Sequence, residues 1–290
     1  MTYRIVHKTK YKYKTPVSVG NHIAYLTPRT SPRHACRSHE LLITPTPVGI
    51  SERLDYFGNR VTFFTIRERH YELKIEARSE VVIDDEAVAW PERSPAWEEV
   101  VRRLPYDLGA ESLNAYQFVF ESPRVRPNTK FARYASESFL PDRPLAEALL
   151  DLTGRIYRDF RFDSKATNVR TTPEEVLRHK RGVCQDFAHL QVACLRSLGL
   201  AARYVSGYLR TYPPPGRPRL VGADASHAWA SAYCPGIGWL DVDPTNNVAP
   251  SQNHVTLSWG RDYGDVSPVR GVILGGRDHK VEVGVDMEPD

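Results

Sequence analysis

The segment Arg181–Tyr208, RGVCQDFAHLQVACLRSLGLAARYVSGY, constrains the fold more than any other stretch of the chain. From Cys184 onward, Phe187, Leu190, Val192, Leu195 and Leu198 recur at the spacing of one buried helical face. Gly199 stands where a helix ends in the left-handed conformation that glycine adopts without a Cβ penalty. Ala201 to Tyr208 then reads as a buried strand. A cysteine at a helix start sits beside unpaired N–H groups and the positive end of the helix dipole, and both favour thiolate over thiol. Taken alone, Cys184 is explained as well by capping or packing.

Asp224 to Asn247, DASHAWASAYCPGIGWLDVDPTNN, gives that cysteine partners. Around His227 small and large residues alternate, a strand pattern, and Pro235-Gly236-Ile237-Gly238 is turn chemistry. Trp239 to Asp243 reads as the returning strand. Such a hairpin can bring His227 close to a carboxylate on the neighbouring strand. Cysteine, histidine and aspartate in that arrangement are a nucleophile, a base and its orienter. Asp241 and Asp243 both precede Pro244 and share a strand face, so spacing alone does not separate them.

In order and setting, GVCQDFAHL, SHAWA and DVDPTNN resemble the transglutaminase-like superfamily of cysteine enzymes. The opening YRIVHKTKYKYKTPVSVGNHIAYLTPR resembles the N-terminal domain of its bacterial members, and RDYGDVSPVRG resembles their closing segment. The resemblance implies an α+β fold: an N-terminal β-sandwich-like domain over residues 1–90, then a papain-like or transglutaminase-like core over 91–290. That core would pack helices on an antiparallel sheet and carry C-terminal strands. The resemblance also implies catalytic roles for Cys184, His227 and Asp243, the DPT pattern selecting Asp243. The expected activity is cysteine-dependent acyl transfer at an amide through a thioester on Cys184, by hydrolysis of a peptide or γ-glutamyl-type amide. The alternatives are protein-glutamine transamidation and a catalytically silent peptide-binding module.

Elsewhere the chain reads as scaffold. Tyr3, Ile5, His7, Thr9, Tyr11 and Tyr13 alternate with polar or basic neighbours, and further short strands run to Ile83 between turn residues, with Phe57-Gly58-Asn59 as a hairpin turn. His22, His34 and His39 read as surface or turn histidines. Helices are expected over 96–104, 129–139 and 144–160, and Thr172-Pro173-Glu174-Glu175 is a strong helix start. The basic run Arg178 to Arg181 suits a helix end and adds positive field before Cys184. Beyond Asn247 the pattern is less regular, with strands at 269–274 and 280–285. The loop TYPPPGRPRLVG is basic through Arg217 and Arg219, close after Arg210, and reads as a lid over a cleft.

Several classes are set aside. A formal net charge of +4 with no long basic run interleaved with aromatics gives no nucleic-acid footprint. Cys36, Cys184, Cys194 and Cys234 fall at no regular spacing, so neither a zinc knuckle nor a disulfide framework is indicated, and Cys194 and Cys234 read as inert packing. A metal site from Cys184, His189 and His227 is the weaker rival to the nucleophile reading. No cofactor-binding loop is found, no run approaches membrane-spanning length, and cytoplasm is the expected location. The expected partner is a peptide or amide substrate, and the sequence sets no oligomeric state. Asn168 or a nearby aromatic is the guess for a second oxyanion donor.

Overall fold

The computed structural model describes residues 1–84, 90–212 and 225–290. The first domain is built on β1 (Thr2–Ala24), followed by β2 (His34–Thr44), β3 (Gly49–Leu54), β4 (Arg60–Ile66) and β5 (His70–Ile83). The alternation read from Tyr3 onward is the alternation of burial along β1: Tyr3, Ile5, His7 and Thr9 point inward while Arg4 and Lys8 are exposed. Phe57-Gly58-Asn59 makes the turn into β4, with Gly58 at φ 73° and Asp55 accepting from the Phe57 and Asn59 N–H groups.

The second domain begins with α1 (Trp97–Arg103), α2 (Ala110–Tyr116), α3 (Thr129–Ser136) and α4 (Leu145–Asp159). Next come β6 (Arg161–Phe162), α5 (Pro173–His179), β7 (Arg181–Gly182) and α6 (Cys184–Ser197). The chain continues through β8 (Ala202–Leu209), β9 (Ala225–Cys234), β10 (Gly238–Val242), β11 (His254–Gly260) and α7 (Tyr263–Val266), and closes on β12 (Val269–Gly275) and β13 (His279–Pro289). Local signals act as expected. Asn128 caps α3, Thr172 and Glu175 form a capping box on α5, and Gly199 takes φ 84° after α6. Pro144 caps α4 instead of opening it.

The core is an antiparallel sheet in the order β10-β9-β8-β11, with helices packed on it. Ala202, Ala230 and Ala232 lie on the face that meets α6 and α4, where Leu149, Leu152, Leu190 and Leu195 are fully buried. Small residues on the sheet let the helices approach closely, so the large side chains come from the helices.

The closing strands correct one expectation. Assigned by sequence to the second domain, β12 and β13 instead pair with β1, running the full length of its free side from Ala24↔Val269 to Tyr3↔Pro289. β1 is thereby flanked by β4 and β5 on one side and by β12 and β13 on the other, within one seven-stranded half-barrel sheet. The physical reason is edge closure: without the returning chain, a 23-residue strand would leave its N–H and C=O groups unpaired along one side. Part of the layer facing this sheet is supplied by the core. Tyr3, Ile5, Val81, Ile83, Val285 and Met287 pack against Tyr208, Val255 and Leu257 of β8 and β11. The histidines read as surface or turn residues are also corrected: His22 is buried against Phe64, His34 is buried against His254, and His39 is partly buried and bonded to Ser79.

Candidate active site

Cys184 is the first residue of α6, and its surroundings hold that helix start in place. Asp186 folds back so that its Oδ2 accepts from the Val183 N–H at 2.8 Å and from Thr167 Oγ1 at 2.6 Å. Gly182 makes room for this, since a Cβ there would stand 2.8 Å from the Asp186 carboxylate. Burial pushes the Asp186 carboxyl up, its two hydrogen bonds opposing. Cys184 is half-buried, whereas Cys194 and Cys234 are buried, and burial raises both their thiols, that of Cys234 to about 11.

His227 lies on β9 opposite Gly207 of β8, and Asp243 follows the end of β10, anchored by a bridge to Val248. The His227 Nε2–H donates to Asp243 Oδ2 at 2.7 Å. The structure brings His227 and Asp243 into direct contact, with His254 completing a His-Asp-His cluster, and Cys184 packs nearby against Ala188, Tyr204 and Ala228. Asp241 goes elsewhere: its Oδ2 accepts from Trp229 Nε1 at 3.2 Å. Trp229 and Tyr208, which flank the motifs, are buried packing residues.

Asp243 is wholly buried, yet its carboxylate accepts from five donors. Oδ1 takes the Thr245 and Asn246 N–H groups at 2.9 and 3.3 Å, and Oδ2 takes Asn246 Nδ2 at 2.7 Å besides the two imidazoles. Burial favours the neutral acid. The hydrogen bonds and charges of His227 and His254 outweigh it and hold the carboxyl well below its usual range. Burial likewise disfavours a charged His227, but the bonds to Asp243 and Cys184 prevail and raise it to about 10.

Sequence reasoning missed His254. It sits on β11, in a segment read as irregular, and its Nε2–H donates to Asp243 Oδ2 at 3.1 Å. The alternation of Val255, Leu257 and Trp259 could have signalled the strand. Nothing local ties His254 to a carboxylate eleven residues upstream. The histidine's backbone carbonyl accepts from His34 Nε2 of the first domain at 2.9 Å.

His227, Asp243 and His254 present donor atoms within 4.8 Å of one another, the spacing of a potential metal cage. Ligand atoms each about 2.0–2.1 Å from a tetrahedral ion stand more than 3 Å apart. The 2.7 Å contact between His227 and Asp243 is instead a charge-assisted hydrogen bond. The rival set of Cys184, His189 and His227 is not such a group among the described residues. His189 is buried, accepts the Tyr263 N–H at 3.0 Å, and is pushed down to about 3 by burial. Asn168 spends its side-chain oxygen on the Arg170 N–H in the loop before α5. Of the lid read in TYPPPGRPRLVG, residues 213–222 lie outside the described residues. Arg210 donates its N–H to Asn253 O and stacks over Tyr3 and Tyr212.

Comparisons with known proteins place the chain in a family. Residues 3–82 match the bacterial transglutaminase-like N-terminal region, and residues 116–244 match the transglutaminase-like superfamily. An uncharacterised protein of Mycobacterium tuberculosis is 40% identical over 292 residues, covering 99% of this chain and 92% of the relative. A Pseudomonas aeruginosa protein-glutamine gamma-glutamyltransferase is 28% identical over 161 residues, 55% of this chain and 24% of that protein. The crystal structure of a proposed cysteine protease from Cytophaga hutchinsonii superposes with a TM-score of 0.75 at 22% identity, covering 99% of this chain and 90% of the other. The likeness to the Cytophaga hutchinsonii structure shows a shared fold. The chain belongs to the transglutaminase-like superfamily of cysteine-protease-like enzymes, with a bacterial transglutaminase-like N-terminal region ahead of its core.

Proposed function

We propose that this protein performs acyl transfer at an amide bond with Cys184 as nucleophile, His227 as base and acid, and Asp243 as orienter. The observation that supports the reading is that His227, on the strand packed against α6, is tied at 2.7 Å to a buried, five-fold bonded carboxylate while Cys184 opens that helix. With Nε2 committed to Asp243, the other ring nitrogen is left for the thiol. Sγ as thiolate attacks the carbonyl carbon, and the developing oxyanion is met by the Cys184 N–H at the start of α6. Tyr204, packed against Cys184 and kept protonated by burial, is the aromatic available as a second donor. The C–N bond breaks as His227 passes its proton to the leaving amine, which leaves a thioester. Water then attacks with its proton taken by His227, and carboxylate product and thiolate separate.

Hydrolysis is the favoured outcome because the TYPPPGRPRLVG sequence is basic and would repel a cationic amine acceptor within the roughly 8–10 Å over which exposed charges act. The substrate class is then a peptide or γ-glutamyl-type amide. Transamidation is the second reading, favoured by the similarity to the Pseudomonas aeruginosa gamma-glutamyltransferase. A competition decides between them: a glutamine-containing peptide is supplied with a millimolar primary amine, and acid and amide products are resolved by mass. Predominant acid supports the hydrolase, and predominant amine adduct makes the protein a transglutaminase. No product across a broad peptide library, with Cys184 still alkylatable, favours a silent peptide-binding module.

A further inference from the structure

On the sheet face turned away from α6, Arg203 of β8, Ser231 of β9 and Asp241 of β10 stand side by side in one cross-strand row. Each leaves a buried polar atom without a hydrogen-bond partner: Arg203 Nε, Ser231 Oγ and Asp241 Oδ1. Arg203 is only 7% exposed, and among the described residues it makes no ion pair or hydrogen bond, with Asp241 or any other group. Its guanidinium lies instead between two indoles, 4.0 Å from the centre of Trp239 and 3.7 Å from that of Trp259. Arg29 covers the Trp259 ring at 3.5 Å. A buried charge with no directly bonded counter-ion is costly, and stacking on aromatic rings returns only part of that cost.

Arg203 and Asp241 both line a cavity of about 720 Å³ between the two domains, within the size range of small-molecule sites. Its walls are apolar through Phe57, Phe118, Trp239 and Trp259, and its lining charges balance, Glu111 and Asp241 against Arg33 and Arg203. A purely anionic or cationic ligand would satisfy one orphaned group and be repelled by the other. A zwitterion satisfies both.

We propose that this cavity binds an α-amino acid with an aromatic side chain, its carboxylate on Arg203, its ammonium on Asp241 and its ring among the indole and phenyl walls. The site is separate from Cys184 and does not depend on the proposed acyl transfer. It lies next to the catalytic residues, because the Trp229 indole that donates to Asp241 also packs near His227 and His254.

The test is calorimetric titration of the full chain carrying Cys184→Ala, so that no turnover contributes heat. The probes are L-phenylalanine, N-acetyl-L-phenylalanine and L-phenylalaninamide. Saturable binding of L-phenylalanine is expected, with each blocked form weaker by more than about tenfold, since each loses one charge-assisted contact. Arg203→Met and Asp241→Asn should each weaken binding by a similar factor. Asn114→Trp on α2 fills the exposed mouth without touching the sheet, and it should weaken binding even if the row variants fail to fold. No binding of L-phenylalanine, equal binding of either blocked form, or unchanged binding by the Asn114→Trp protein would overturn the proposal.

Discussion

His254 Nε2 and Asp243 Oδ2 are 3.1 Å apart in a fully buried setting, so the carboxylate that orients His227 is itself gripped by a second imidazole. The His254 carbonyl is in turn held by His34 of the first domain. The half-barrel thus reaches the orienting carboxylate through a single residue of β11.

Replacing His254 should therefore affect turnover more than substrate capture. His254→Ala leaves Asp243 one donor short, costing about 1–3 kcal/mol of stability and lowering kcat by roughly tenfold or more, with KM little changed. His254→Gln retains a donor and should recover part of kcat. A loss in KM alone, or no recovery with glutamine, would reduce His254 to a packing residue.

Cysteine labelling should single out Cys184. It is half-buried at a helix start beside His227, whereas Cys194 and Cys234 are buried with their thiols raised, and burial also raises Cys36. Mass mapping of native protein partly labelled with iodoacetamide at neutral pH checks this. Faster labelling of any other cysteine contradicts the assignment of the nucleophile.

The two aspartates before Pro244 should behave differently. Asp243→Asn replaces the carboxylate that accepts from both imidazoles, while Asp241→Asn alters an acceptor of the Trp229 indole. The first should lower kcat by a factor of about 10³ or more and the second by far less. Equal losses would mean that the hydrogen bonds misidentify the orienter.

Acid should destabilise this protein well above the usual carboxylate range. Burial holds His7, His22 and His34 down to about 4 and His189 to about 3. Between those values and about 6.5 the unfolded chain binds protons that the folded one refuses, so stability falls as pH drops through that window. His227 acts oppositely: raised to about 10, its contribution is complete below about 6.5 and lost as pH climbs towards 10. Thermal melts should peak near neutrality and lose on the order of 10 °C by about pH 4.5. A flat profile over that range would show that these histidines are not held neutral.

Glycine 207 tests the packing beneath the site. A Cβ there would stand 2.3 Å from the Val255 carbonyl oxygen and 2.4 Å from the Trp229 ring, so Gly207→Ala should cost about 3 kcal/mol or more. Gly49→Ala, with open space around it, should be within about 0.5 kcal/mol of neutral in denaturant melts.

What the sequence determined by itself is what depends on neighbours along the chain. The helix that opens at Cys184, the stop at Gly199, the capping box at Thr172 and the hairpin carrying His227 all arise from interactions within a few residues, whereas the burial of α6 on every face from Asp186 to Arg196 does not. Their periodicities and turn chemistry could therefore be read directly. Tertiary structure decided what depends on which strand lies beside which. β12 and β13 look like any alternating strands, and only the unpaired side of β1 makes them part of the first sheet. Asp241 and Asp243 share a face in sequence, yet Asp243 stands past the strand end, where His227 and His254 can both reach it. Arg203, Ser231 and Asp241 are unremarkable 28 and 10 residues apart. They become one row because antiparallel pairing sets them across three strands, and that register is a property of the assembled sheet.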